Sequence, residues 1–321
     1  MTRFGHSELP DEQADALRRA KLIEWLSIGY TVCTVTVVAF VVGNSQAMRT
    51  AWIEDMLSTL PQIAFLIAVL FIRRPHTRKH PYGMHRAMGV GHLVGGVALV
   101  IVGGLLAYES ISGLVALDHP TIGTVSLFGH TIWLGWLMVG VMVPIAIPPF
   151  FFARAKLRLS EQLNNKLLYA DAAMSRADWQ TNAASIVGVL GIGFGIWWLD
   201  GAAATFISAG ILWDGLTNTR AAVLDLTDMR ATTVDQKSPH PLIDEIEETL
   251  RELPWVREVG CRVRDQGHVM HVEAFVVPRD DTVSLDDLES AGHRVAALSW
   301  TMQDVAIIPA SELPEELAPS T

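Results

Sequence analysis

The chain has 321 residues, half of them hydrophobic and only 18% charged, and its mean hydropathy is positive, +0.31. That balance excludes an ordinary soluble globular protein and points to a membrane protein with a soluble part. The net charge of −10 is concentrated late: residues 229–321 hold 8 Lys/Arg against 18 Asp/Glu, whereas the first 228 residues hold 16 of each, which argues against nucleic acid or anionic lipid as a partner of the C-terminal part.

Residues 1–21 are polar throughout and lack the apolar core of a secretory signal. Arg18, Arg19 and Lys21 precede the first apolar run, which predicts a cytoplasmic N-terminal segment. A bilayer crossing takes about 20 apolar residues, and six stretches are long enough: Leu22–Val42, Ala51–Ile72, Met88–Leu114, Thr131–Phe152, Ala172–Leu199 and Ala202–Leu226. Asp200-Gly201 separates the last two and predicts a tight hairpin there. The loop after the second span carries Arg73, Arg74, Arg78, Lys79 and Arg86, and the loop after the fourth carries Arg154, Lys156, Arg158 and Lys166. The remaining connections hold almost no positive charge, Arg49 excepted, so both termini are expected in the cytoplasm.

Residues 22–228 thus form the expected transmembrane domain, and residues 229–240 a Ser/Thr/Pro-containing linker. Residues 241–310 predict a small α+β domain of order αββαβ, ferredoxin-like in type. Pro241–Glu252 is an amphipathic helix with Leu242, Ile243, Ile246 and Leu250 on one face. Val256–Arg264 and His268–Val277 alternate as strands about a Gln266-Gly267 turn. Ser284–Leu298 is a second helix, N-capped by Ser284 with Asp287 completing a capping box, and Asp304–Pro309 is a last strand. So small a core predicts dimerisation or docking, and residues 311–321 read as a frayed tail. Cys33 and Cys261 lie in different regions and suggest neither a disulfide nor a thiolate cluster.

Polar side chains at membrane depth are expensive and are functional candidates by default. Asp55 and Asp178 lead. Each is either a helix-end carboxylate or one of two that face the bundle interior and bind a cation. Met174, Asp178 and Asn182 are four apart and share one helical face. Thr59 is a weak oxygen ligand or a hydroxyl bonded back to its own helix. Met174 is a thioether ligand or a core filler. Gln62, Asn182 and Asp214 form a second tier, Pro61 can free a carbonyl, and Glu24, His92 and Glu109 are further polar residues within spans. His76, His80 and His85 cluster in a strongly basic loop, either as a metal site or as a structural, membrane-anchoring loop. There is no nucleophile–base pair, no HExxH, no phosphate loop and no dinucleotide fingerprint, so an enzyme is not expected.

Four local stretches, EDMLSTLPQ, HPYGMHRAM, ADAAMSRADWQTN and AAVLDLTD, together with six spans and an αββαβ tail, resemble the cation diffusion facilitators over nearly the whole chain. The resemblance implies a homodimeric, proton-coupled exporter of a divalent metal (zinc, iron, manganese or cobalt) in a bacterial inner membrane, with no organic cofactor. The family's transport site maps onto Asp55, Thr59, Met174 and Asp178, with Met174 where a span-five histidine usually stands. That departure favours an oxygen-rich site, completed by Gln62, Asn182 or Asp214, over a tetrahedral zinc site. The inner-loop site maps onto His80, with Met84 at the next position and His85 one residue off. Tail positions that often carry histidine hold Val259, Glu273 and Ile308, so few or no tail metals are expected. A charge interlock between spans three and six maps onto Arg86 and Asp228. Two other functions stay open: a non-transporting interaction or sensor subunit of this type, and a transporter of a different solute.

Overall fold

The computed structural model describes residues 9–317 apart from 73, 75, 76, 128, 129 and 281; His76 of the basic loop lies outside the described residues. Helix α1 runs from Asp11 to Ala39. It begins well before the apolar run because the polar lead is itself rich in helix formers, with Asp11 and Glu12 favourably placed in the first turn. The second span is two helices, α2 (Gln46–Leu57) and α3 (Thr59–Ile72), interrupted at Ser58. Pro61 explains the interruption: it has no N–H for the Leu57 carbonyl, and its ring crowds that carbonyl.

Helix α4 covers Ala87–Val115. It is followed by an antiparallel hairpin of β1 (Thr124–Leu127) and β2 (His130–Trp133), with Thr124 opposite Trp133. The expected start of the fourth span at Thr131 is therefore corrected, since Thr131 is in a strand. Helices α5 (Leu134–Ile145) and α6 (Pro148–Gln162) make the fourth span, broken before Pro148-Pro149. Helix α7 (Lys166–Gly193) opens on Asn165, whose Oδ1 accepts from the Leu168 N–H at 2.8 Å. Helix α8 covers Trp198–Leu226.

The hairpin expected at Asp200-Gly201 is a second correction. Both residues are helical, and the chain turns at residues 194–197, where Gly195 takes φ +80°. Asp200 is fully buried instead. Its carboxylate accepts from Ser45 Oγ and from the Gln46 N–H, both at 2.6 Å, and so caps the start of α2. An Asp-Gly pair is a turn signal only where nothing else claims the carboxylate.

Among the described residues, four helical segments are long and apolar enough to cross a membrane: Asp11–Ala39, Gln46–Ile72, Ala87–Val115 and Leu134–Gln162. Helices α7 and α8 are comparable in length, and each carries four charged residues spread along it. Trp25, Leu26, Leu105, Phe206 and Trp213 stay exposed on the bundle surface, as side chains facing lipid do. Inside, α4 and α8 approach closely through glycines. A Cβ added at Gly103 would lie 2.8 Å from the Leu212 nitrogen, and one at Gly215 2.6 Å from the Val100 nitrogen.

The C-terminal part has the αββαβ order. Helix α9 (Leu242–Arg251) buries Ile243, Ile246 and Leu250. Strands β3 (Val256–Asp265), β4 (Met270–Pro278) and β5 (Met302–Pro309) form one sheet in the order β3-β4-β5. The β3–β4 pair is antiparallel and the β4–β5 pair parallel, with α10 (Leu285–Ala296) between β4 and β5 in the chain. Ser284 Oγ accepts from the Asp287 N–H at 3.0 Å, the cap that the sequence predicts. Gly267 takes φ +99° in the β3–β4 turn. The stretch read as a linker is partly built in: Arg230 bridges Arg264, and Ala231 is buried in this core.

This part is held to the helices by polar contacts. Arg86 ion-pairs with Asp228, which also meets Arg264 at 3.3 Å. Lys166 joins Asp225 at 2.8 Å and Asp265 at 3.3 Å. Burial pushes the Asp265 carboxyl up to about 6, against the pull of Lys166. The buried His268 donates from Nδ1 to the Leu163 carbonyl at 3.1 Å, and burial holds its pKa below the ordinary value.

Candidate cation site

Helices α1, α2, α3 and α7 converge on a small cavity of about 20 Å³. Its walls are Ser27, Tyr30, Thr31 and Thr34 of α1, Asp55 of α2, Ser58 at the break, Gln62 of α3, and Ser175, Asp178 and Asn182 of α7, with Ile145, Pro149 and Phe152 closing one side. A volume of this order holds about one water or a single ion. Four residues singled out in the sequence thus meet here: Asp55, Gln62, Asp178 and Asn182. Asp55 comes from one side of the bundle's second crossing and Asp178 from α7, and they are close enough for their charges to interact.

Neither carboxylate accepts a hydrogen bond from another described residue. The surrounding polar groups are largely tied to the backbone. Tyr30 Oη donates to the Ile145 carbonyl at 2.6 Å, Ser58 Oγ to the Asp55 carbonyl at 2.8 Å, and Asn182 Nδ2 to the Asp178 carbonyl at 2.8 Å. Gln62 Nε2 donates to Ser27 Oγ at 3.1 Å, while Gln62 Oε1 is buried without a hydrogen-bond partner. The cavity therefore offers two carboxyl groups and several neutral oxygens, with no histidine or cysteine in its lining. Such a donor set suits a hard, oxygen-seeking divalent cation better than tetrahedral zinc.

The other candidates lie elsewhere. Thr59 donates back to the Met56 carbonyl at 2.6 Å and is not part of the lining. Met174 is buried and, with Asp214, lines a separate chamber of about 590 Å³ that also touches His92, Arg176 and Asn218. His92 Nε2 meets Asn218 Oδ1 at 2.9 Å, a contact between α4 and α8. His80 and His85 line a third cavity of about 860 Å³ with Lys79, Arg86 and Arg264. Among the described residues no group of three or more His, Cys, Asp or Glu side chains is arranged to hold a metal. Glu109 pairs with Arg49 at 2.9 Å.

Several residues were not anticipated. The α1 hydroxyls belong to a helix whose apolar pattern alone drew attention. Ser58, one helical turn after Asp55, takes the place given to Thr59. Glu54 has a buried Oε2 without a hydrogen-bond partner and lies near Asp178 and Thr181. The four-residue spacing of Glu54, Ser58 and Gln62 was a signal that could have found it. Lys156, read as a loop charge, is wholly buried and pairs with Glu24 and Asp171. Its place in the buried stripe Ala153, Lys156, Leu159 and Ser160 was legible from helical spacing.

A membrane helical domain with paired interior carboxylates is the architecture of an ion transporter. Residues 22–227 match the Cation efflux transmembrane domain model, and the chain belongs to that family, the cation diffusion facilitators. It is an integral membrane protein. It is 20% identical over 272 residues to the Manganese efflux system protein MneS of Bacillus subtilis, covering 83% of this chain and 86% of that protein. It is 24% identical over 291 residues to the Uncharacterized transporter YdbO of the same organism, covering 89% and 91%. A shorter match, 26% over 122 residues, covers 37% of this chain and 32% of the Proton-coupled zinc antiporter SLC30A2 of Mus musculus.

Proposed function

We propose that this protein is a divalent metal cation:proton antiporter that exports metal from the cytoplasm, with the cargo cation held between Asp55 and Asp178. The observation that carries this reading is the meeting of two carboxylates, free of hydrogen-bond donors, in an ion-sized cavity lined otherwise by neutral groups. Two ionised carboxylates match the charge of one divalent cation, and when the cation leaves they are natural proton acceptors. Ser58, Gln62 and Asn182 supply neutral oxygens. The lining favours manganese over zinc, as does the similarity to a manganese efflux protein.

In this reading six helical segments cross a bacterial inner membrane, residues 22–228 being the transport domain, with both termini in the cytoplasm. Residues 241–310 are a ferredoxin-like dimerisation domain, and the working unit is a homodimer. The Arg86–Asp228 pair sets how the soluble part sits under the membrane part. Alternating access would expose the cavity to each side in turn. Calorimetric titration of purified protein with manganese and zinc tests the site. Wild type should bind manganese more tightly than zinc, and Asp178→Asn should weaken manganese binding at least about 100-fold. Equal binding by wild type and the variant would remove the basis of the proposal.

A further inference from the structure

Next to the cation cavity lies a second polar cluster, sealed from solvent. Lys156 of α6 and Glu24 of α1 are 0% exposed, and Asp171 of α7 is 2% exposed. Lys156 Nζ lies 3.3 Å from Glu24 Oε2 and ion-pairs with Asp171. It also donates to Ser27 Oγ at 3.2 Å, the same hydroxyl that Gln62 Nε2 reaches at 3.1 Å. Ser27 and Gln62 are both in the wall of the cation cavity. One hydroxyl thus joins the two clusters.

The charge count is uneven. A single ammonium faces two carboxylates, so with all three groups ionised a net negative charge would be left in a dry interior. Their hydrogen bonding is incomplete as well: both Glu24 oxygens and Asp171 Oδ1 are buried without a hydrogen-bond partner. Glu24 and Asp171 are close enough to hydrogen-bond each other. Only a protonated carboxyl can donate to the other, so one shared proton removes the surplus charge and engages two of the three idle oxygens. The charged groups that face Glu24 are Lys156 from α6 and Asp171 from α7; α3 presents the neutral Gln62, and Asp178 and Asp55 lie beyond.

We propose that Glu24, Asp171 and Lys156 form a proton-binding site that holds one exchangeable proton and releases it when a divalent cation enters the Asp55–Asp178 cavity. The inference rests on the cation site proposed above. Cation entry brings positive charge close to the cluster. The carboxylic O–H between Glu24 and Asp171 then breaks, its electron pair stays on oxygen, and the proton leaves past Ser27 to the water that the incoming cation displaces from the cavity. Lys156 keeps its own proton and stabilises the carboxylate left behind. Departure of the cation reverses the step. Counter-transport then draws on this proton in addition to any carried by Asp55 and Asp178.

The test counts protons released per manganese bound, using manganese chloride, full-length protein in weakly buffered detergent and a pH indicator. Glu24→Gln and Asp171→Asn should each release about one proton fewer per manganese than wild type. Manganese binding should be retained at alkaline pH, where the wild-type proton is already gone. The slope of log Kd against pH should fall by about one in both variants. If a lone substitution leaves too little folded protein, the triple variant Glu24→Gln/Lys156→Met/Asp171→Asn has no charge left to desolvate and should give the same deficit. A wild type that binds manganese, with an unchanged proton count in the variants, overturns the proton site alone. A wild type that binds neither manganese nor zinc overturns both it and the cation site.

Discussion

Asp55 and Asp178 are positioned by neighbouring residues that shape the backbone around them. Pro61 breaks the second span at Ser58 and so sets the angle at which Asp55 enters. On α7, Asn182 spends its amide on the Asp178 carbonyl, which steadies the turn that carries the carboxylate. Because Ser58 and not Thr59 lines the cavity, Ser58→Ala should weaken manganese binding several-fold while Thr59→Ala leaves it within about twofold, as read by titration of both variants. The carboxylates themselves were legible in the sequence, since charge in an apolar segment is costly enough to need a reason. Thr59 and Met174 were reached by spacing along a continuous helix. That spacing puts both Ser58, three on, and Thr59, four on, beside Asp55 without choosing between them, and it cannot say which of two cavities a side chain on α7 enters. Lys156 was hidden by its neighbours Arg154 and Arg158, whose charge made the whole stretch resemble a loop.

The helices and strands depend on a few contacts that can be tested singly. The close approach of α4 and α8 leaves no room for a side chain at Gly215. Gly215→Val should therefore lower stability by about 1–3 kcal/mol, seen as a lower Tm in detergent, whereas the same change at Gly210, where a Cβ meets nothing, should not. In the C-terminal sheet, the hydrogen bond from His271 to Asp304, 2.5 Å long, holds the imidazole above its ordinary value of 6.5, although partial burial opposes it. The folded state thus binds the proton more tightly than the unfolded chain. This stabilisation is fully present below pH 6.5 and is lost as pH rises through the elevated value. A pH series of melting curves should show that fall, and His271→Gln should flatten it. Strand and helix order in this region followed directly from period-two and period-3.6 patterns. The β1–β2 hairpin did not, because its short alternation merged with the apolar run of α5.

At the scale of the molecule, two of the ionic joints between the C-terminal part and the helices differ in strength. Lys166, buried between Asp225 and Asp265, is the costly one to break, because its loss strands a buried carboxylate. Lys166→Ala should destabilise by about 3–5 kcal/mol. The Arg86–Asp228 pair is partly exposed, so Arg86→Ala should change stability by about 1 kcal/mol or less. Thermal melts of the two variants side by side will separate these effects. Lys166 is the first residue of the helix that carries Asp178. The C-terminal part is thereby joined directly to the helix that carries Asp178. The most direct measurement is transport: wild type reconstituted in liposomes, with an internal pH dye and an external proton gradient, challenged with manganese. Manganese uptake accompanied by proton movement in the opposite direction, absent in Asp55→Asn and Asp178→Asn, is the predicted result. Uptake that persists in both variants, or that proceeds without any proton flux, would contradict the proposed antiport through this cavity.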